Sequence, residues 1–559
     1  MKTINHLPHH IVSKIAAGEV VDRPASAIKE LVENSLDAGA TYIQIILEQG
    51  GLKKIVVKDD GKGMSKEDLE ICFLPHTTSK ITTEKDLDTI QSFGFRGEAL
   101  SSIAAVSHMT IKSRKTDAEH GYMVELIPFQ EPTLSSAGIP VGTEIEIKDL
   151  FSTIPARKKF VKDSRTELRH IVDAITTIAL SFPRVGFILE HDGNVIVNVP
   201  KEQNLQERIH ALLGDDIGMQ MMPITHESQY GRLNGFIGKP QLAGSSRAHQ
   251  YLFVNNRSIT HLPISRTVTE SFGSLIEPRT HAVFVVSLEL PYESVDVNVH
   301  PRKEEVAFAY PKNILELCEE AVVTTLKNNN ITYKKISSDF MKERGMDGST
   351  ADMLKDMVTP WNLKPENMQE ISQLHNLYLV APTADGILLV DQHAAHERIL
   401  FEQFKEAFRN SHATGAVFEL PESLLINLPA SDSIILDEHA ETLQKLGFDI
   451  SLFGVNTFKL CAVPDVFKDR NYKELISEFI NDMREGRNSG SKLDRTTERT
   501  LAFMACRTAV KAGDPLAPDE RKRLLEKLLA CPAGYTCPHG RPTHIEVSMN
   551  ELDKMFKRK

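Results

Sequence analysis

The sequence predicts an α+β protein with several domains, and three observations indicate this. Its 559 residues exceed what one hydrophobic core usually organises, so two to four domains are expected. Segments with helical periodicity alternate with short strand-like runs along most of the chain. Between residues 331 and 368 the periodicity fades, charges of both signs balance and turn residues accumulate, which indicates a linker.

The composition excludes several classes of protein. Hydrophobic residues make up 41% of the chain and charged residues 25%, which is typical of a soluble globular protein. We find no apolar run long enough for a membrane span and no signal-peptide core at the start, so a cytosolic or nuclear protein is expected. The net charge of −11 argues against wholesale coating of nucleic acid, but it leaves local basic patches open. Six scattered cysteines indicate buried thiols or metal ligands rather than a disulfide framework.

The first predicted helix runs from Pro24 to Gly39, since proline favours a first turn and glycine ends a helix. Its apolar stripe leaves Glu30, Asn34 and Asp37 on another face, at helical spacing. Taken alone, Glu30 is more simply explained as part of the solvated face of an amphipathic helix.

Two strands, predicted over 41–48 and 54–58, lead into an acidic pair and a glycine turn at 59–63. Gly61 and Gly63 let the backbone approach a flat ligand, and Asp59 can accept a hydrogen bond from an exocyclic amine. These residues are consistent with a nucleotide-base site, although one such turn is weak evidence.

Phosphate-binding features follow along the chain. Lys80 closes a polar turn, and a glycine-hinged loop enters a helix over 94–103. The free N–H groups and the dipole at a helix N-terminus suit phosphate oxygens. A further strand begins at Gly142 and Thr143.

In this order, the motifs resemble the ATP-binding motifs of the gyrase, Hsp90, histidine-kinase and MutL superfamily. The phrases at 15–21, 94–100 and 155–160 resemble, more specifically, the DNA mismatch repair MutL family. The resemblance implies a Bergerat-type ATPase sandwich over 1–200. It implies that Glu30 activates the attacking water, that Asn34 holds Mg²⁺ and that Asp59 binds adenine. The further implied nucleotide contacts are Gly61, Gly63, Lys80, Arg96, Gly97, Glu98 and Thr143.

A second α/β domain is predicted over 201–330, with a helix that starts at Pro311. The resemblance implies a ribosomal S5-like fold here. The phrase at 295–306 is similar to the family segment whose lysine enters the ATP site, which implies that Lys303 contacts the γ-phosphate; the alternative is a solvated surface lysine. Residues 255–257 match another family phrase, and a satisfied turn is their alternative explanation.

The C-terminal region contains a buried strand at 386–390, followed by helix-forming sequence as far as Phe408. His393 and Glu397 are four residues apart and therefore share a helix face. An imidazole and a carboxylate on one face form half of a transition-metal site. A polar helix start that caps itself explains this stretch about equally well.

Further metal ligands come later in the chain. Cys506 lies in a predicted helix, and taken alone it is better explained as a buried thiol. Cys537 and His539 share a tight turn fixed by proline and glycine. The candidate ligands are Asp391, His393, Glu397, Cys506, Cys537 and His539. Such a mixed set suits Zn²⁺, and a harder ion such as Mn²⁺ is an option on the carboxylate side.

The motifs DQHAxxExxxxE at 391–402, ACR at 505–507 and CPHGRP at 537–542 resemble the endonuclease domain of nicking MutL proteins. The resemblance implies a dimerisation and endonuclease domain over 369–559, with an inserted subdomain at about 421–485. It implies two-metal hydrolysis in which Asp391 and Glu397 are catalytic. His396 falls at a variable position of the motif and is not included. The alternative is a clamp or matchmaker protein whose metal site is structural zinc.

The resemblance also implies partners and cofactors. The cofactors are ATP with Mg²⁺ at the ATPase site, and Zn²⁺, Mn²⁺ or both at the nuclease site. The partners are duplex DNA without sequence preference, a MutS-like mismatch recognition protein and a second copy of the chain. Basic clusters at 157–159 and 521–523 are candidate phosphate contacts. The sliding clamp is a weaker expectation, because Ala416 stands where its motif has glutamine. A cytoplasmic, nucleoid-associated location is implied if the source is prokaryotic. A topoisomerase subunit or a chaperone with the same ATP fold is not expected to carry the C-terminal motifs.

Overall fold

The computed structural model describes residues 21–81, 83, 92–94, 96–128, 130–154, 157, 163–244, 246–276, 280–296, 306–329, 331, 371–383, 386–409, 417–485, 495–510, 513–531, 534–538, 541–556 and 558. The chain divides into two compact units. One comprises Met1–Ile336 with Asn427–Ile434, and the other comprises Ser337–Ile426 with Ile435–Lys559.

The first unit begins with an eight-stranded sheet in the order β5-β4-β3-β6-β2-β1-β7-β8. The strands are β1 Tyr42–Glu48, β2 Lys54–Asp59, β3 His108–Arg114, β4 Gly121–Leu126, β5 Thr133–Ala137, β6 Gly142–Lys148, β7 Gly186–His191 and β8 Asn194–Val199. The helices are α1 Pro24–Asp37, α2 Lys66–Ile71, α3 Ala99–Val106, α4 Ser164–Ser181, α5 Leu205–Leu213 and α6 Asp215–Gly218. Only the β1–β7 pair is parallel among these neighbours.

Helices cover one face of this sheet, so this part of the unit is a two-layer sandwich, as predicted. Helix α1 packs on α4 and on β2, and apolar residues of all three share one core. The other face carries ion pairs between strands, such as Lys58 with Glu144 at 3.0 Å and Lys54 with Glu146 at 3.0 Å. The alternation of buried and exposed residues along β1 follows from this asymmetry.

A five-stranded sheet in the order β12-β11-β13-β10-β9 follows in the same unit. Its strands are β9 Met221–Ser228, β10 Gly231–Gly238, β11 Gln250–Val254, β12 Arg257–Ser258 and β13 Phe284–Glu289, and a short pair joins β14 Val295–Asp296 to β15 Ala307–Phe308. Its helices are α7 Leu262–Glu270 and α8 Pro311–Asn328. The predicted helix from Pro311 is confirmed, and its apolar side enters a separate core.

The second unit contains a four-stranded sheet in the order β16-β17-β18-β22 and a three-stranded sheet in the order β19-β21-β20. The strands are β16 Ser372–Leu374, β17 Tyr378–Thr383, β18 Gly386–Asp391, β19 Val417–Asn427, β20 Asp449–Gly454, β21 Thr457–Pro464 and β22 His544–Ser548. The helices are α9 Gln392–Arg409, α10 Ala430–Lys445, α11 Tyr472–Glu485, α12 Arg495–Thr508, α13 Pro518–Ala530 and α14 Met549–Met555.

Strand β18 and helix α9 follow each other without a loop, as the sequence predicts. Helix α9 packs on α12 and α13, and the core under the four-stranded sheet includes Leu388, Val390 and Ile399. This packing brings the end of β18, the first turns of α9 and helix α12 together. Among the helices that the structure describes, none has the length and apolar character needed to cross a membrane.

Candidate nucleotide site and candidate metal centre

Helix α1 presents polar side chains to the segment around Lys80. The ammonium group of Lys80 donates to Asn34 Oδ1 at 2.8 Å and to Asp37 Oδ2 at 2.5 Å. Asp37 also accepts hydrogen bonds from the backbone N–H groups of Phe93 at 3.1 Å and Gly94 at 3.2 Å. The structure thus brings two predicted site residues, Asn34 and Lys80, into direct contact. It adds Asp37, which the sequence reasoning placed on the same face without a role.

Asp59 lies at the end of β2, where its carboxylate accepts hydrogen bonds from Ser35, Gly61 and Thr143. Ser35 Oγ donates to Oδ2 at 2.8 Å, and the N–H of Gly61 donates to Oδ1 at 3.0 Å. Burial raises the pKa of Asp59, although these hydrogen bonds act in the opposite direction. The carboxylate is fixed in orientation before any ligand arrives. Ser35 was not predicted.

Two predicted glycines are required by close backbone approaches. Gly63 has a φ of +68°, and a Cβ there would lie 2.0 Å from the carbonyl oxygen of Arg114. Gly97 has a φ of +64°, and a Cβ there would lie 2.5 Å from the carbonyl oxygen of Thr77. The packing of neighbouring loops therefore needs glycine at both positions, whether or not a nucleotide contacts them.

The remaining predicted contacts lie on separate elements. Thr143 starts β6 next to Asp59 in the strand register, and its hydroxyl is 2.9 Å from Ser113 Oγ. Glu98 precedes α3, and its carboxylate lies 3.6 Å from His76 Nδ1. Arg96 and Glu30 are both half-buried. Lys303 lies outside the described residues.

In the second unit, His393, Glu397 and Cys506 form one cluster. Their ligand atoms all lie within 4.8 Å of one another, and His393 Nε2 is 3.2 Å from Glu397 Oε1. Hydrogen bonds to Cys506 and then to Glu397 raise the pKa of His393 to about 11. Glu397 is 1% exposed. An imidazole, a buried carboxylate and a thiol at this spacing fit Zn²⁺, which prefers nitrogen, sulfur and carboxylate ligands.

The orientation of His393 is set by backbone contacts. Its Nδ1 donates to the carbonyl oxygen of Val510 at 2.9 Å, so Nε2 faces Glu397. His396 Nδ1 accepts a hydrogen bond from the N–H of Val510 at 3.0 Å. Burial lowers the pKa of His396, which keeps it a neutral acceptor. Both histidines thus hold the chain just beyond helix α12, which carries Cys506.

Gln392, which was not predicted, and His396, which was excluded, help to position α9 through contacts with backbone atoms. Gln392 is fully buried, and its amide donates to the carbonyl oxygens of Asn376 at 2.7 Å and Asp514 at 3.1 Å. The signal in the sequence is their position in the motif, since both lie one turn or less from His393. The contacts themselves involve backbone atoms that no residue type could reveal.

Asp391 acts as the cap of α9. Its Oδ1 accepts hydrogen bonds from the N–H groups of His393 and Ala394, both at 3.0 Å. It is not a member of the three-residue cluster found among the described residues. The self-capping explanation therefore applies to Asp391, while His393 and Glu397 belong to the cluster.

The loop that carries Cys537 is tied to α9. Buried Arg398 donates to the carbonyl oxygen of Thr536 at 2.5 Å and to Glu402 Oε1 at 3.0 Å. The N–H of Cys537 donates to the carbonyl oxygen of Arg541 at 2.8 Å, and its side chain is buried. Cys537 is likewise not in the described cluster, and His539 lies outside the described residues. Arg398 therefore fixes this turn beside helix α9.

Three family models match consecutive parts of the chain. "Histidine kinase-, DNA gyrase B-, and HSP90-like ATPase" matches residues 22–131, "DNA mismatch repair protein, C-terminal domain" matches 209–327, and "MutL C terminal dimerisation domain" matches 371–516. The fold and these matches define an ATPase-domain protein of DNA mismatch repair that also has a dimerisation domain.

Curated relatives specify the family. Proteins named DNA mismatch repair protein MutL are 31% identical over 647 residues in Halothermothrix orenii, 33% over 614 in Rickettsia africae and 34% over 571 in Desulforudis audaxviator, each covering 100% of both chains. The chain belongs to the DNA mismatch repair protein MutL family.

Solved structures are similar over slightly more than half of the chain. The Aquifex aeolicus MutL ATPase domain complexed with ADP is 26% identical, covers 54% of this chain and 98% of its own, and has a TM-score of 0.38. The N-terminal domain of a DNA repair protein is 23% identical, covers 57% and 99%, and has a TM-score of 0.49.

Proposed function

We propose that this mismatch repair protein is an ATP-gated homodimer that nicks duplex DNA with a metal-dependent endonuclease in its second unit. The observation that supports the nuclease most strongly is the cluster of His393, Glu397 and Cys506. The proposed domains are an ATP-binding domain over 1–200, an S5-like domain over 201–330, a linker over 331–368 and a dimerisation and endonuclease domain over 369–559, with an inserted subdomain at about 421–485. Duplex DNA and a MutS-like protein are the proposed partners, and the sliding clamp stays a prediction, since Ala416 lies outside the described residues.

In the first unit, the proposed chemistry is hydrolysis of the γ-phosphate of ATP. Glu30 would accept a proton from the attacking water, Asn34 would hold Mg²⁺, and Asp59 would bind the adenine amine. Lys80 supports this assignment because its ammonium group already contacts Asn34, where phosphate charge would collect. Phosphoryl transfer depends mostly on such positioning and charge neutralisation.

Replacement of the proposed base tests the ATPase. Glu30→Ala should bind ATP as tightly as the wild type, while turnover should fall by about 10² or more, the usual contribution of a general base. Equilibrium binding of a fluorescent ATP analogue and steady-state hydrolysis measure the two effects. Glu70→Ala, an exposed glutamate of α2, is the matched control. Turnover retained in Glu30→Ala would remove Glu30 from the mechanism.

In the second unit, His393 Nε2, Glu397 and Cys506 would hold the metal, with Asp391, Cys537 and His539 as further candidate ligands. Bound Zn²⁺ or Mn²⁺ would supply an acidified water and charge stabilisation for phosphodiester hydrolysis. The residues of the chain contribute the orientation of the imidazole by Val510 and a buried carboxylate that holds positive charge.

Nicking of supercoiled plasmid in the presence of Mn²⁺ tests the nuclease. Glu397→Gln removes one ligand charge and keeps the side-chain volume, so we expect nicked circles to fall by about 10- to 100-fold, the usual loss when the surroundings of a metal are changed. Glu406→Gln replaces an exposed glutamate on the same helix and should nick as the wild type does. Equal nicking by all three proteins would indicate a contaminating nuclease.

A clamp or matchmaker with structural zinc is the second candidate, and the role of Asp391 as a helix cap favours it. Under this alternative, removal of zinc by a chelator lowers the thermal stability of the protein, and no metal supports nicking. Under the main proposal, chelation abolishes nicking, and added Mn²⁺ restores it.

A further inference from the structure

Arg257 follows a rigid hairpin turn of the five-stranded sheet. Asn255 and Asn256 have φ angles of +48° and +65°, which is the backbone form of a tight two-residue hairpin between β11 and β12. The Asn255 side chain accepts from the N–H of Leu290 at 2.9 Å and donates to its carbonyl oxygen at 3.0 Å. Ser181 Oγ donates to the carbonyl oxygen of Asn256 at 2.6 Å. The position at which Arg257 begins β12 is therefore closely fixed.

The guanidinium group of Arg257 is directed at a segment of the ATP-binding sandwich. Its Nη2 donates to the carbonyl oxygens of Ser92 at 3.0 Å and Phe93 at 3.4 Å, and it lies 5.3 Å from the centre of the Phe93 ring. The side chain is 8% exposed. Burial lowers the pKa of Arg257, whereas the charges of Glu33, then Asp37 and Glu30, oppose this. A buried cation with these partners has few alternative positions.

The same segment is held from its other side by α1. We call residues 92–94 the lid hinge, because they precede the Arg96-Gly97-Glu98 loop. Asp37 accepts the N–H groups of Phe93 and Gly94, and it also binds Lys80, which donates to Asn34. The carbonyl oxygens of Ser92 and Phe93 thus accept hydrogen bonds from Arg257, and the N–H groups of Phe93 and Gly94 donate to Asp37. A continuous series of contacts joins β12 to the proposed Mg²⁺ ligand.

Space is available beside this hinge. A cavity of about 280 Å³ is lined by Phe93, Phe182, Arg257, Glu33 and neighbouring residues of α1, α4 and β12. The Phe93 and Phe182 rings meet edge to face with centroids 5.6 Å apart. Phe93 can therefore shift without compressing a close-packed core, which would resist such a movement.

We propose that Arg257 is a positioning residue for the lid hinge, through which the five-stranded sheet sets the arrangement of the ATP site. This inference rests on the proposed ATPase function. Because Arg257 is fixed to its sheet and bonded to hinge carbonyls, displacement of that sheet displaces the hinge and the Asp37–Lys80–Asn34 contacts with it. Without the guanidinium group, the carbonyl oxygens of Ser92 and Phe93 lose a charged donor, and ATP must order the hinge at a greater cost in free energy.

The test compares Arg257→Met and Arg257→Lys with the wild-type full chain, without DNA. In Arg257→Met we expect the KM for ATP to rise about ten-fold, the factor that corresponds to the loss of a hydrogen bond from a charged donor, while kcat changes less than about two-fold. Tryptic cleavage at Arg96, with Mg²⁺ and a non-hydrolysable ATP analogue, should be faster than in the wild type. Arg257→Lys keeps the charge but not the planar fork, so an intermediate KM is expected. Arg266→Met changes an exposed arginine of α7 and should match the wild type.

Wild-type KM and wild-type protection at Arg96 in Arg257→Met would overturn the inference, as would a fall in kcat with an unchanged KM. If Arg257→Met does not fold, Arg257→Lys decides: an intermediate KM supports the positioning role, and an unchanged KM overturns it. A wild type that hydrolyses no ATP would refute the proposed function instead. Protection by the analogue does not require hydrolysis, so the two failures are distinguishable.

Discussion

At the scale of single residues, His393 shows how its neighbours prepare a side chain for a metal. Its Nδ1 is occupied by the carbonyl of Val510, and its Nε2 faces Glu397. The raised pKa of His393 is a consequence of that arrangement. Metal and proton therefore compete for the same atoms.

We predict that the affinity for Zn²⁺ rises with pH between 6 and 8. Protonated imidazole cannot ligate a metal, and hydrogen bonds to Cys506 and Glu397 raise the pKa of His393 to about 11. Throughout this window the pH is below that pKa, so binding must release the proton, and the association constant should rise about ten-fold per pH unit for each proton released. Competition with a chromophoric chelator, corrected for the chelator's own protonation, measures the slope. An affinity independent of pH would contradict a site that uses neutral His393.

At the scale of elements, Asp391 at the junction of β18 and α9 caps the helix, and it is also a proposed ligand of the metal. Asp391 ends the strand and caps the helix, while the next turn presents His393 and Glu397. Capping alone can explain an aspartate at this position, since aspartate, asparagine and serine are the usual N-cap residues. The two tasks can be separated, because asparagine caps nearly as well as aspartate but carries no charge.

We predict that Asp391→Asn keeps the stability of the second unit and loses nicking activity. Asp391→Ala should lose nicking and also about 1 kcal/mol of unfolding free energy, since both capping hydrogen bonds disappear. Urea denaturation and plasmid nicking measure the two properties separately. Nicking by Asp391→Asn at the wild-type level would leave Asp391 with the capping role alone.

At the scale of the whole molecule, the dimerisation domain needs a surface for a second copy. The four-stranded sheet buries Leu379, Ala381, Leu388 and Val390 under its helices. On its opposite face the strand register pairs Val380 with Leu389, and Leu389 with Ile545. These apolar side chains are half-buried or exposed in the single chain. We propose that this face, defined by Val380, Leu389 and Ile545, contacts the same face of a second copy.

We predict that Leu389→Glu weakens the homodimer about ten-fold or more, because a carboxylate would lose its hydration within an apolar contact. Sedimentation equilibrium of the full chain without nucleotide measures the dissociation constant. Leu425→Glu, on the exposed side of β19, is the control and should dimerise as the wild type does. A dimer unaffected by Leu389→Glu would place the interface elsewhere.

The sequence alone was sufficient for features that depend on local spacing. The start of α1 at Pro24, the strand–helix junction at Asp391 and the pairing of His393 with Glu397 follow from proline geometry, apolar periodicity and helical repeat. The order of the motifs identified the family, which the full-length relatives confirmed.

The tertiary structure decided which distant segments meet. His393 and His396 reach Val510 across 117 and 114 positions of the chain, and Arg257 reaches Ser92 across 165. These contacts end on backbone atoms, which every residue type supplies, so no pattern of side chains records them. Helical and strand periodicity describe only residues that are close together in the chain. The acceptor of a buried donor is determined by the packing of whole elements against one another.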